Sequence, residues 1–165
     1  MRIVENLRRS GIKVGGIVSS EILENGVRVG FKIIDLEGGA EGILAHIRQR
    51  SGPQVGKYRV CLRDLENIGV GAILNACKSV DLIIIDEVGP MELYSEAFKD
   101  AVLRALESDK IVLGTIHYRV KTSFTNMIRG RGDVEIIEVT YDNRNSLPRK
   151  ISELILKEIK KKSGG

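Results

Sequence analysis

The residues best suited to chemistry are two neighbouring acids, Asp86 and Glu87, which directly follow an apolar run. Residues 82–85 are apolar at every position, which is typical of a strand covered on both faces of a sheet. Ligands of such sheets bind beyond the carboxyl ends of the strands. Mg²⁺ takes few protein carboxylates and keeps several waters, so one acid could hold the ion while the other polarises a water. This pattern is that of a Walker B motif; the alternative is a strand that ends in a solvated acidic turn.

A triphosphate site also needs groups that bind phosphate. The usual solution is a Gly-x-x-x-x-Gly-Lys-Ser/Thr loop between a strand and a helix, in which backbone N–H groups and the lysine surround the phosphates. The sequence contains no such loop. Residues 52–58 come nearest, but the spacing between their glycines is one residue short, and they end in a tyrosine that leads into a predicted strand. We therefore interpret them as a turn; residues 38–42 lack the lysine.

Segments typical of strands and helices alternate along the chain, which predicts an α/β fold with a mostly parallel sheet. The predicted strands are residues 14–20, 27–34, 57–62, 82–85, 111–115 and 134–139. The predicted helices are residues 2–10, 64–78 with Asp64 as N-cap, 95–108, 120–131 as a basic helix or loop, and 146–161.

The pair Asn25-Gly26 lies between two strand-like runs and predicts a β-hairpin. The glycine-rich and polar stretch that follows, residues 37–56, predicts a long mobile loop with one helical turn near residues 44–48. Loops of this length are often functional.

Composition narrows the class of protein further. The 165 residues suit a single domain, and no apolar run approaches the ~20 residues that cross a bilayer. No secretory signal is visible, and Cys61 and Cys77 form neither a CxxC pair nor a metal spacing, so we expect reduced thiols in a cytoplasmic protein. The net charge of +4 suits polyanionic partners. Nucleic acid is one such partner, although aromatic residues make up only 4% of the chain and tryptophan is absent.

Several motifs together resemble one known family, the small P-loop nucleoside triphosphatases of thermophilic microbes and their vertebrate relative, cancer-related nucleoside triphosphatase. The similarity extends from Met1 to about Ile151. The motifs that carry it are Gly30-Phe31, residues 55–60 (VGKYRV), 84–93 (IIDEVGPMEL), 113–116 (LGTI) and 139–145 (VTYDNRN).

The resemblance implies a RecA-like P-loop fold of three layers with a β-hairpin insertion. It also implies Mg²⁺-dependent hydrolysis of ATP, GTP and other nucleoside triphosphates to the diphosphate and phosphate, and we expect a monomer. By matching motif, Asp86 would serve the metal and Glu87 would activate water. The implied nucleotide-binding residues are Asp86, Glu87, Val88, Gly89, Asn143 and Arg144. Arg129 and Arg131 are basic candidates for the developing charge, or belong to a solvated basic loop.

The sequence departs from the family pattern in two places. Pro90 stands where the family typically has a lysine, and the family's first strand and P-loop have no counterpart. We therefore expect one domain, residues 1–165, that lacks this strand and the Walker A loop. Either the sequence begins at an internal methionine of a longer active enzyme, or the chain has kept the fold and lost catalysis. The rival from another class is a basic module that binds nucleic acid or a partner.

Overall fold

A seven-stranded sheet forms the centre of the fold in the computed structural model, which describes residues 2–163 and the side chains of residues 3–162. The strands are β1 (Val14–Glu24), β2 (Val27–Asp35), β3 (Glu41–His46), β4 (Gln54–Val55), β5 (Tyr58–Val60), β6 (Leu82–Val88) and β7 (Ile111–Ile116), in the order β4-β5-β3-β2-β1-β6-β7. The helices are α1 (Arg2–Arg9), α2 (Leu62–Asp64), α3 (Gly71–Ser79), α4 (Glu96–Glu107), α5 (Ser123–Arg129) and α6 (Leu147–Ser163). A π-helical segment (Leu65–Val70) joins α2 to α3, and a 3-10 turn (Glu92–Tyr94) precedes α4.

Helices cover both faces of the parallel part of the sheet, which confirms the predicted three-layer α/β fold. Strands β1, β6 and β7 run parallel, with β6 in the middle. Ile83 and Ile85 of β6 pack with α3 and α4, whereas Leu82 and Ile84 pack with α1 and α6. Full burial of one such side chain contributes about 1.5–3 kcal/mol, so the two apolar layers fix the position and register of β6.

The rest of the sheet is antiparallel and extends well beyond the predicted hairpin. Asn25 and Gly26 have φ angles of 51° and 77° and form the tight turn between β1 and β2, as the Asn-Gly pair predicts. Strand β2 then pairs with β3, β3 with β5, and β5 with β4, each time antiparallel. The hairpin insertion is therefore confirmed, and it continues as an antiparallel extension of the sheet.

The long loop predicted for residues 37–56 is wrong, and so is its helical turn near residues 44–48. Six residues of this stretch form β3, in which Leu44 and Ala45 are buried. The close pairing with β2 depends on Gly30, since a Cβ there would lie 2.5 Å from the carbonyl oxygen of Ala45. The strand is thus stabilised by a distant glycine rather than by a local pattern.

A helical stretch begins close to Asp64, as predicted, but Asp64 is not its N-cap. Cys61 occupies that position without a side-chain capping bond. The Asp64 carboxylate instead accepts a hydrogen bond of 2.9 Å from the backbone N–H of Ile43. Asp64, the predicted N-cap, therefore links the helical stretch to β3 through this hydrogen bond.

The strand predicted for residues 134–139 is also wrong, because this segment has no regular secondary structure. The sheet ends at β7, whose residues are only partly buried. Ile136, Ile137 and Val139 are 53%, 38% and 64% exposed. The segment has the apolar composition of a strand, but in the described part of the chain no neighbouring strand pairs with it.

Residues 52–58 form turns around the short hairpin of β4 and β5, as predicted, with positive φ angles at Gly52 and Gly56.

Both cysteine thiols are free. None of the helices described between residues 2 and 163 is long and apolar enough to cross a bilayer.

Gly16 is the glycine on which the parallel pairing of β1 and β6 depends most directly. Its φ is +94°, and an added Cβ would lie 2.1 Å from the carbonyl oxygen of Ile84. Gly11 also has positive φ, at +80°, but has open space around it.

Both Gly→Ala substitutions introduce backbone strain, and only Gly16→Ala adds a clash. We expect Gly16→Ala to lower the free energy of unfolding by about 1–3 kcal/mol more than Gly11→Ala, measured by urea denaturation. Equal losses would contradict this account of β1–β6 contact.

Candidate active site

Strand β6 brings Asp86 and Glu87 to the edge of the sheet where the parallel strands end. The two residues are half-buried and, as successive strand residues, point to opposite faces. The Asp86 carboxylate accepts a hydrogen bond of 3.4 Å from the Thr115 hydroxyl of β7. Glu87 lies on the other face, against Gly89. The sequence-predicted acids thus stand at the ligand edge, one on each side of the sheet.

Asp86 lines a cavity of about 340 Å³ between α1, β6 and β7. The walls are mainly apolar and include Ile84 and Leu113, whereas Asp86, Thr115 and Arg144 supply polar groups. The Arg144 guanidinium lies 5.0 Å from the centre of the Tyr141 ring, a distance typical of a cation–π contact. Asp86, Thr115 and Arg144 therefore line the same cavity.

The other predicted nucleotide-binding residues have mainly structural contacts. The Asn143 side chain donates to the Glu138 carbonyl at 2.7 Å and accepts from the Thr140 N–H at 2.9 Å, so it holds the turn that presents Arg144. Val88 is buried, and its carbonyl accepts from the His117 N–H at 3.2 Å. Gly89 continues directly from the end of β6.

Burial raises the pKa of the Glu87 carboxyl; His117 lowers this pKa and Asp86 raises it. A carboxyl with a raised pKa holds a proton more readily than an ordinary glutamate does. Glu87 therefore has the electrostatic surroundings of a group that can accept a proton.

Glu92 is a third acid beside this pair, and we predicted no role for it from the sequence. Only 5% of its surface is exposed, and its Oε2 accepts a hydrogen bond of 3.2 Å from the Gly89 N–H. Burial, with a further contribution from Glu87, raises the pKa of Glu92 to about 7. Two signals in the sequence point to Glu92: it lies within the family motif of residues 84–93, and it stands between the apolar residues Met91 and Leu93.

Thr115 and His117 are the other site residues that sequence reasoning missed. Both reach the site through the parallel pairing of β7 with β6. The Nδ1 atom of His117 is buried without a hydrogen-bond partner among the described residues. The family motif at residues 113–116 contains Thr115 but gave it no role, and no motif contains His117. Both residues become neighbours of Asp86 and Glu87 only when β6 and β7 pair.

The basic candidates Arg129 and Arg131 have other partners. The Arg129 guanidinium donates to the carbonyls of Val120 and His117 at 3.0 and 3.3 Å. Arg131 donates two hydrogen bonds to Asp133, at 2.8 and 2.7 Å. Arg129 therefore braces the loop after β7, and neither side chain is directed at Asp86 or Glu87 by a contact in the structure.

The oxygen atoms at Asp86 suit a hard cation that is also coordinated by a bound ligand. Within residues 3–162, no group of three or more His, Cys, Asp or Glu side chains could hold a metal by itself. Asp86 and Thr115 offer only oxygen atoms, the ligands that Mg²⁺ prefers. Such a site would need water and phosphate oxygens to complete the coordination.

Comparison with known proteins identifies the family. The sequence profile of the family described as NTPase matches residues 1–152, which is nearly the whole chain. The chain belongs to this NTPase family. It is 49% identical over 158 residues to the nucleoside-triphosphatase THEP1 of Thermofilum pendens, covering 94% of this chain and 86% of that protein. It is 50% identical over 142 residues to the protein of the same name from Methanosarcina barkeri, covering 86% and 79%.

Two solved structures of the NTPase family share the fold. THEP1 from Aquifex aeolicus superposes with a TM-score of 0.80 at 28% identity, covering 93% of this chain and 90% of that one. The human cancer-related nucleoside triphosphatase superposes with a TM-score of 0.79 at 33% identity, covering 93% and 87%. The family resemblance read from the sequence is confirmed.

The pKa of Glu92 predicts how stability changes with pH. It lies at about 7 in the folded protein against an ordinary value of 4.5, so the folded state binds a proton that the unfolded chain releases between these values. Stability is therefore lost as the pH rises through this window. We expect Glu92→Gln, which cannot ionise, to gain about 2–3 kcal/mol relative to the unsubstituted protein between pH 5 and pH 8.

Urea denaturation at the two pH values measures this difference. Glu96→Gln is the matched control, because the Glu96 side chain is 84% exposed and should give no comparable gain. A Glu92→Gln protein whose stability keeps the original pH dependence would show that Glu92 is ionised in the folded protein over the whole range.

Proposed function

We propose that this protein hydrolyses nucleoside triphosphates, such as ATP and GTP, to nucleoside diphosphate and phosphate with Mg²⁺. The observation that carries the proposal is the placement of Asp86 and Glu87 on opposite faces of β6 at the ligand edge of the sheet. The relatives are named nucleoside-triphosphatases, which supports the same reaction.

Asp86 and Glu87 divide the chemistry between them. Asp86, with the Thr115 hydroxyl beside it, would hold Mg²⁺, which when bound neutralises charge on the β- and γ-phosphate oxygens. Glu87 orients a water for in-line attack on the γ-phosphorus and accepts its proton at a carboxylate oxygen. The bond between the γ-phosphorus and the bridging oxygen breaks, and that oxygen leaves with the diphosphate.

Arg144 is the cation that this chain offers to the nucleotide. Arg144 lines the same cavity as Asp86, and a guanidinium can pair with phosphate or stack on a base. Asn143 contributes by holding the Arg144 turn, and Val88 and Gly89 form the adjacent rim of the site.

A complete site needs a phosphate-binding loop, and we propose that it belongs beside β7. Strand β7 is the edge of the sheet and is only partly buried. The exposed apolar residues Ile136 and Val139 fit a segment that would be covered by a further strand. The 165 residues would then be one nucleoside triphosphatase domain that lacks this strand and its loop.

Phosphate release tests the need for the loop. With Mg²⁺ and ATP or GTP, we expect the 165-residue chain to turn over feebly or not at all, because its strongest phosphate donors are missing. An extension placed ahead of Arg2, carrying a strand and a Gly-x-x-Gly-x-Gly-Lys-Thr loop, should raise turnover. The control extension has its lysine replaced by alanine. Robust turnover by the unextended chain would show that the loop is dispensable.

Glu87→Gln tests the role assigned to the base. The variant keeps the size of the side chain and loses the proton acceptor, so we expect the kcat of the extended chain to fall by about 10²–10⁴-fold. Nucleotide affinity, measured with a fluorescent analogue, should stay within a few-fold. Glu96→Gln is the control for removal of an acid. Full activity in Glu87→Gln would remove Glu87 from the mechanism.

A further inference from the structure

Glu92 is built into the turn that follows the two acids of β6. Its Oε2 accepts the Gly89 N–H at 3.2 Å, although the residue is only 5% exposed. Two backbone hydrogen bonds of 3.1 Å close the same turn, from Leu93 N–H to the Gly89 carbonyl and from Ser95 N–H to the Glu92 carbonyl. A buried acid thus fixes the backbone two residues after Glu87.

Glu87 and Glu92 meet at the α-carbon of Gly89. A Cβ added to Gly89 would lie 3.0 Å from Cδ of Glu87 and 3.1 Å from Oε2 of Glu92. Both distances are shorter than ordinary van der Waals contact, so both carboxyl groups pack against the same side of this glycine. The space that the missing side chain leaves is occupied by the two acids together.

The surroundings of this pair are mostly acidic. Asp86 lies on β6 beside it, and Glu66 of the π-helical segment accepts a 2.8 Å hydrogen bond from the Ser95 hydroxyl at the end of the turn. His117, after β7, is a basic group that faces Glu87 and lowers the pKa of its carboxyl. Burial and the repulsion from Glu87 raise the pKa of Glu92 to about 7. A neutral Glu92 can lie against Glu87 without the repulsion of two buried charges.

We propose that Glu92 is a positioning residue, which holds Glu87 in the orientation in which it can accept the proton of the attacking water. The inference rests on the function proposed for Glu87. Glu92 itself contacts neither nucleotide nor water in this mechanism. It acts by fixing the Gly89 backbone through its hydrogen bond and by filling the space on one side of the Glu87 carboxyl.

Three substitutions separate this role from simple filling of the core. Glu92→Gln keeps the size and the oxygen acceptor for Gly89 N–H without a charge. Glu92→Leu and Glu92→Met fill the space with apolar groups that cannot accept a hydrogen bond, and two such variants guard against one that fails to fold. Glu96→Leu is the control, because it makes the same change at a side chain that is 84% exposed.

The orientation of Glu87 can be measured without hydrolysis. NMR side-chain couplings report its rotamers, with the signals assigned by Glu87→Gln, and hydrogen exchange reports the Gly89 N–H. We expect Glu92→Gln to keep one Glu87 rotamer and a protected Gly89 N–H. In Glu92→Leu and Glu92→Met, Glu87 should sample several rotamers, and exchange at Gly89 should quicken by at least about tenfold. Unchanged rotamers and exchange in the apolar variants would overturn the proposal, and so would a Gln variant that behaves as they do.

Phosphate release by the extended chain gives the second readout. Glu92→Leu should lower kcat by at least about tenfold and change KM less than threefold, while Glu92→Gln stays within threefold of the unsubstituted protein. An apolar variant with unchanged kcat would overturn the positioning role. Failure of the proposed function is a different result, namely a Glu87→Gln protein that still hydrolyses nucleotide, and the NMR comparison of the Glu92 variants does not depend on it.

Discussion

Burial of β6 on both faces is the constraint on which the rest of the structure depends. Ile83 and Ile85 are buried against α3 and α4, and Leu82 and Ile84 against α1 and α6. Sliding the strand by one residue would exchange these two sets between the layers and would turn every following side chain to the other face. The apolar residues therefore decide which acid faces the cavity and which faces the turn after β6, before either acid makes a polar contact.

The parts of the fold that could be predicted from the sequence are those whose signal lies within the element. The apolar run of β6 and the Asn25-Gly26 turn are local signals, and both gave the correct structure. Strand β3 could not be predicted in this way, because its pairing depends on the close approach that Gly30 allows. For residues 134–139 the error is the reverse, because a strand was predicted and the structure has none. Their composition suits a strand, but a strand also requires a neighbour, and composition says nothing about whether that neighbour is present.

The same distinction separates the site residues that were predicted from those that were missed. Asp86 and Glu87 follow directly from the buried run and its end. Thr115 reaches Asp86 only through the register of two strands, and Glu92 reaches Gly89 only through a turn. The family motif named Asn143 and Arg144 together, whereas the structure separates their contacts: Arg144 lines the cavity, and Asn143 bonds to the backbone of its own turn.

Burial, together with the neighbouring acids, raises the pKa values of Glu87 and Glu92, and the same acids determine the charge that a triphosphate would meet. Asp86, Glu87 and Glu92 lie close together, and burial weakens the solvation that would otherwise stabilise their charges. The guanidinium groups of Arg129 and Arg131 donate to backbone carbonyls and to Asp133, whereas Arg144 is the arginine that lines the cavity. An edge with three acids and one such guanidinium repels a polyanion unless cations accompany it. On the proposed function, binding of a triphosphate here would depend on a divalent ion at Asp86 and on phosphate donors additional to Arg144. The same acids that would carry out the chemistry would create that requirement.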